Sequence, residues 1–324
     1  GLAGATVASI FVWQELVDPK VAIVLCLAPI FATYSAIMSA FLTIERRFAV
    51  VLASPLPSGL VAIALITLLP QRQVYLAATL VVYEALRSAV LLATARKHLR
   101  RYSDGGSTFD TGLWKGTYRA VTLQMIGSAL TALNPVIDMA FARKFLESGA
   151  VTQIDYATRL WTAIPFLFVP WITRLHAEFC SNAQDGWMDA RLVHRRAVAI
   201  LPWVVSITLA VMVASQSVGT ILFRHGEITA TDAAIIANLL LFYAPAAAAL
   251  VIAQVYLRAL SAVVYLVPVT AIAMLGVIVN TALNYLLITH IGINGVAIAT
   301  SITYALATSL LFVAFQRRMR TTSP

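Results

Sequence analysis

From Ala259 to Gln316 the chain runs for 58 residues without one Asp, Glu, Lys or Arg. A helix crosses the hydrocarbon of a bilayer with about 20 apolar residues, so this stretch is long enough for two crossings. Its break is Thr289-His290-Ile291-Gly292-Ile293-Asn294-Gly295, a turn-like cluster. The whole chain has the same character: 60% of residues are apolar, 11% are charged, and the mean hydropathy is +0.85. Soluble domains hold about 45–50% apolar and about 25% charged residues. The balance excludes a cytosolic enzyme, a secreted disulfide scaffold and a disordered protein. Cys26 and Cys180 are far apart and match no metal or disulfide spacing.

Four further stretches lack charge over the length of a crossing: Val21–Ile44, Phe48–Gln71, Ala197–Phe223 and Ala233–Leu257. Three more are interrupted: Gln73–Ala95 by Glu84 and Arg87, Ala120–Ala142 by Asp138, and Ile154–Ala177 by Asp155 and Arg159 near its start. Leu2–Gln14 is apolar but short. The expectation is an all-α polytopic bundle of about ten helices, since barrel strands would alternate over about ten residues. Gly1 is not a natural start, and the chain reads as a piece lacking N-terminal material.

The net charge of +9 would suggest nucleic acid in a soluble protein, but its placement says otherwise. The loops on one side hold Arg46, Arg47, Arg96, Lys97, Arg100, Arg101, Lys115, Arg119, Arg174, Arg191, Arg195, Arg196, Arg258 and the tail, sixteen bases against six acids. The other side holds six bases and six acids. The positive-inside rule puts both ends in the cytoplasm, and no nucleic-acid partner is expected. Arg96–Arg119, Gly/Ser-rich at Ser103–Thr108, reads as a linker dividing residues 1–112, four helices, from residues 113–324, six helices.

No phosphate loop, His/Cys cluster or Ser-x-x-Lys pattern is present in the sequence, and an enzyme is not expected. Chemistry is sought instead in ionisable groups inside spans, which are costly there. Glu84 and Arg87 stand three apart and can neutralise each other. Asp138 has no opposite charge within its span, so it needs a proton, a cation, or hydroxyl and amide donors from other helices. Asn134-Pro135 precedes it, and a proline there frees backbone carbonyls. Asn280 and Asn284 share one helix face, and Thr300 and Ser301 follow in the next helix. Such oxygens suit a hard cation, but interhelical hydrogen bonding explains them equally well. Arg159, one turn into its helix, would hold a phosphate in a forked geometry if it faces a cavity, or reach toward the interface if it does not.

Asn134-Pro135-Val136-Ile137-Asp138-Met139-Ala140, Gly149-Ala150-Val151 and Tyr156-Ala157-Thr158-Arg159-Leu160 resemble the MurJ (MviN) family of lipid II flippases. That family belongs to the multidrug/oligosaccharidyl-lipid/polysaccharide exporter superfamily. Leu222-Phe223-Arg224-His225-Gly226 with Thr229-Ala230-Thr231-Asp232 resembles a family loop, and Asn280–Ile288 with Gly295–Ser301 resembles its paired eleventh and twelfth helices. Ser39–Leu42, Arg46–Ala49 and Pro55 are similar to its fourth-to-fifth helix junction. The resemblance implies a two-lobed MATE-like flippase fold with an incomplete first lobe around a central cavity, in the bacterial cytoplasmic membrane. It implies a sodium site at Asp138, Asn280, Asn284, the Val296 carbonyl and Thr300, and a pyrophosphate-binding role for Arg159. Asn284 stands where some members have an acid, and Val263–Val267 is apolar where the family has a polar turn. The expected partners are a lipid-linked oligosaccharide substrate and membrane lipids, with no cofactor beyond a sodium ion. Two rivals are a drug or polysaccharide exporter of the same superfamily and a non-transporting scaffold of the cell envelope.

Overall fold

The computed structural model describes residues 19–44, 47–70, 73–103, 111–183, 187–223 and 228–322. They form ten helical segments: α1 (Pro19–Ile44), α2 (Phe48–Ala53), α3 (Pro55–Leu68), α4 (Gln73–Ser103), α5 (Thr111–Phe145), α6 (Ala150–Asn182), α7 (Ala190–Phe223), α8 (Ala230–Ala262), α9 (Leu266–Ile291) and α10 (Asn294–Thr322). Among the described residues seven helices are long and apolar enough to cross a membrane, somewhat fewer than the ten expected. The stretch Leu2–Gln14 lies outside the described residues. α6 is not among the seven, because prolines, tryptophans, threonines and charges are scattered along it.

Two boundaries differ from the sequence reading. Phe48–Gln71 gives one crossing-length span, Ala49–Leu68, made of two segments: the helix is interrupted at Ser54, which keeps helical angles (φ −56°, ψ −31°), and Pro55 opens α3 at a position that needs no N–H. The Arg96–Arg119 linker is largely helical at both ends, since α4 runs on to Ser103 and α5 begins at Thr111. Lys, Arg and Leu favour helix in water as well as in lipid, so a fall in hydropathy marks the membrane edge rather than the helix end.

The chain divides into two compact units, Gly1–Gly116 and Thr117–Pro324. In the first, α1 and α4 run parallel. Ser35 and Ser88 share a hydrogen bond at 2.8 Å, and Ser88 donates to the Phe31 carbonyl at 2.9 Å. Leu42, Leu91 and Ala95 close the same seam. Small hydroxyl-bearing residues permit this approach, as is usual between helices in lipid.

The second unit is built around α8, whose alanine-rich sequence lets α6, α7 and α10 pack closely on it. Ser301 donates to the Phe242 carbonyl at 2.6 Å and Thr308 to the Ala249 carbonyl at 2.9 Å, both 59 residues apart, so α8 and α10 run parallel. At the start of α8, Thr229 and Asp232 form a reciprocal capping box, and Gln153 of α6 donates to Asp232 at 2.7 Å. The turn between α9 and α10 is Gly292-Ile293, with Gly292 at φ +63°. Gly295 brings the two helices together so closely that a Cβ there would stand 2.5 Å from the Leu287 carbonyl carbon. α5 and α9 also run parallel. Thr270 donates to the Leu123 carbonyl at 3.1 Å, and Gly127 lies against Thr270. Prolines 135, 165, 170, 202 and 245 lie inside helices, which neighbours in a lipid-embedded bundle tolerate. Large apolar side chains such as Leu60, Phe166, Trp203, Val213 and Ile278 face outward, as lipid requires.

Candidate ion and substrate site

Asp138 sits two turns before the C-terminal end of α5 and is 5% exposed. Proline at 135 leaves α5 continuous from Thr111 to Phe145, so Asp138 is presented on a regular helix. Asn280 and Asn284 are one turn apart on α9, and both are buried. Asn280 donates its amide N–H to Asp138 Oδ1 at 2.8 Å, and Asn284 donates to the same oxygen at 2.7 Å. Thr300 of α10 donates its hydroxyl to Asp138 Oδ2 at 3.0 Å. Three helices thus meet on one carboxylate, held by three donors with no cationic side chain among them. A buried carboxylate without such partners would be very costly.

Around this group lies a second polar layer. Thr303 donates to Asn280 Oδ1 at 3.5 Å. The oxygens Asn134 Oδ1 and Asn284 Oδ1, the Trp161 indole N–H and the Tyr243 hydroxyl are buried without hydrogen-bond partners. The Trp161 and Tyr243 rings stack at 5.6 Å, and Tyr304 meets Trp161 edge-on at 5.7 Å. These aromatics escape a sequence reading because a Tyr or Trp in an apolar helix looks like core. The available signal is Tyr243 and Tyr304 falling on helices already bearing polar positions.

The donor set can be tested against a cation. A hard monovalent ion wants oxygen ligands. Asp138, the two amides and the Thr300 hydroxyl offer them, provided each amide turns through 180° to present Oδ1 instead of N–H. The unpartnered, buried Asn284 Oδ1 is an oxygen ready for such a role, and amide orientation is set by its surroundings rather than seen directly. The residues fit. Val296, completely buried, lies one turn before Thr300 on the same helix, its side chain in the core with Trp161 and Tyr243.

Arg159 is on α6 with its side chain 74% exposed, paired with Asp155 one turn earlier at 2.9 Å. In the first unit, Glu84 is buried and its Oε2 stands 4.0 Å from Arg87 Nη1. That Glu84 oxygen and the Arg87 Nε are both without hydrogen-bond partners.

A lipid-embedded helical bundle that collects three helices onto one intramembrane carboxylate has the build of a membrane transporter. Solved structures share the fold. A lipid II flippase MurJ in an inward closed conformation is 16% identical, with a TM-score of 0.64, covering 97% of this chain and 71% of that one. A Vibrio cholerae MATE transporter, VcmN, is 14% identical with a TM-score of 0.66, covering 99% and 78%. Its bent form gives 14% and 0.57, covering 99% and 93%. No curated protein sequence matches the chain. The family profile described as "Lipid II flippase MurJ" matches residues 19–324, and the chain belongs to that family of membrane flippases.

Proposed function

We propose that this chain carries a polyprenyl-pyrophosphate-linked sugar, the peptidoglycan precursor lipid II, outward across the bacterial cytoplasmic membrane by alternating access, with its C-terminal tail in the cytoplasm and a monovalent cation at Asp138. The observation that carries the reading is the Asp138 cluster, a single carboxylate gathered by α5, α9 and α10 deep in a helical bundle. A bound cation would supply positive charge to this carboxylate. Asp138 holds it, Asn280 and Asn284 turn their amide oxygens inward, and Thr300 adds its hydroxyl oxygen. The conformation in which these four groups converge is then favoured over one in which they part, because a ligand shifts an equilibrium only by its differential affinity. Arg159, exposed and ion-paired with Asp155 of its own helix, would exchange Asp155 for a pyrophosphate oxygen in a forked contact.

The second reading, a cation-coupled exporter of drugs or polysaccharide, draws on the comparable fold match to a MATE transporter. An amphipathic cation as substrate would favour acids at the site, and a pyrophosphate favours Arg159. The test is rescue of a bacterium depleted of its lipid II flippase by the full-length gene carrying wild type, Asp138→Asn or Arg159→Ala. The proposal expects rescue by wild type only. Rescue by Asp138→Asn would remove the cation, and failure of wild type would remove the substrate.

A further inference from the structure

The polarity of α6 is distributed the opposite way from that of a helix set against lipid. Its apolar residues recur at helical spacing and are buried, with Ile154, Trp161, Phe168 and Leu175 all turned into the core. The opposite stripe carries Thr152, Asp155, Arg159, Thr162, Thr173 and Arg174, exposed or half-buried, with Phe166 between them. Charges on a lipid-facing stripe are costly. Pro170 offers no N–H to the Phe166 carbonyl, so the stripe also presents a backbone acceptor. Such a group at membrane depth belongs against protein or water. Arg174 is the second arginine of this stripe. The charge count placed it with the cytoplasmic loops, but it lies inside α6, eight residues before Asn182 and about 12 Å from the helix end.

Arg159 has Asp155 at 2.9 Å, whereas among the described residues no acid pairs with Arg174. Fifteen residues separate the two arginines, about four turns and about 22 Å along the helix, on faces about 60° apart. We propose that Arg174 is a specificity-determining residue: it binds a carboxylate of the substrate's peptide while Arg159 holds the pyrophosphate. The inference rests on the substrate reading above and narrows it. Lipid II is anionic at both ends of its headgroup. A pyrophosphate joins the prenyl chain to the sugar, and the sugar carries a five-residue peptide that ends in a carboxylate. Five residues extend to about 18 Å at most, and the sugar covers the remaining distance to the pyrophosphate. The headgroup therefore reaches from one arginine to the other, and a sugar hydroxyl between them can donate to the Phe166 carbonyl. Guanidinium and carboxylate match in a forked contact. A lipid-linked sugar without a peptide leaves Arg174 unused, so the pair selects for the peptide-bearing lipid.

The test uses the purified full-length protein in detergent micelles free of phospholipid, with binding followed by isothermal titration calorimetry. The ligands are lipid II and undecaprenyl pyrophosphate, which has neither sugar nor peptide. Arg174→Ala should raise the Kd for lipid II by about two- to fivefold, the range of an exposed ion pair, and leave the Kd for undecaprenyl pyrophosphate at the wild-type value. Arg174→Lys should recover part of the loss, and Arg159→Ala should weaken both ligands. Lipid II with its peptide carboxylates amidated should bind wild type as weakly as unmodified lipid II binds Arg174→Ala, which decides the matter if that variant does not fold. Equal weakening of both ligands by Arg174→Ala would overturn the inference, since Arg174 would then hold phosphate. So would an unchanged Kd for lipid II, or amidated lipid II binding wild type at full affinity. A wild-type protein that binds neither ligand would overturn the substrate reading itself.

Discussion

Replacing Asp138 by alanine or by asparagine separates its structural work from its chemistry. Alanine removes both acceptor oxygens at once. The N–H groups of Asn280 and Asn284 and the hydroxyl of Thr300, now bonded at 2.8, 2.7 and 3.0 Å, lose their partner in a site that is 5% exposed. A buried donor left unpaired costs about 1–3 kcal/mol. Hydrogen bonds between membrane helices run lower, near 0.6 kcal/mol on average, because side chains find other partners. Taking about 1 kcal/mol per donor, Asp138→Ala should destabilise the protein by about 3 kcal/mol. Asparagine keeps one acceptor oxygen for the two amides, and Thr300 needs only to rotate to accept from the new N–H. It also removes the burial of a charge. Asp138→Asn should therefore lie within about 1 kcal/mol of wild type, although it should abolish any sodium response. Reversible unfolding in mixed micelles titrated with sodium dodecyl sulfate gives both numbers. Equal destabilisation by the two variants would refute the reasoning, because it would mean that the cluster requires the negative charge and not merely an acceptor.

Two other substitutions test the frame around the site. Asp232→Ala removes the acidic half of the capping box at the start of α8 and its clip to Gln153, and should destabilise the protein more in the same assay than Gln153→Ala, which leaves the cap intact. Gly295→Ala puts a Cβ 2.5 Å from the Leu287 backbone, where nothing flexible can yield. The α9–α10 pair should be forced apart at a cost of about 1–3 kcal/mol, seen as a lower melting temperature, and an unchanged one would disprove the tight approach.

The charge-free run that dominates the sequence turns at Gly292-Ile293, within the cluster chosen for its glycines and polar residues, because a turn needs residue types that local sequence displays. The break at Ser54-Pro55 was equally local, but a count of charges does not detect it. The four-residue spacing of Asn280 and Asn284 puts them on one face from sequence alone. Their meeting with a carboxylate 142 and 146 residues earlier depends on how α5 packs on α9, which no local pattern encodes.

The contact of Thr270 with the Leu123 carbonyl has a mechanical meaning. It fastens α5 to α9 fifteen residues before Asp138, about 22 Å along the helix at 1.5 Å per residue. Asn280, Asn284 and Thr300 ride together on the α9–α10 pair that Gly295 locks, so the cluster has only two moving parts. With that end as pivot, a swing of about 5° would carry the Asp138 carboxylate about 2 Å, and it would carry Ala142, buried in the core cluster four residues on, and the Phe145 ring that meets Tyr285 of α9. Opening the site by such a rotation therefore requires the packing at Ala142 and Phe145 to give way as well as the three hydrogen bonds.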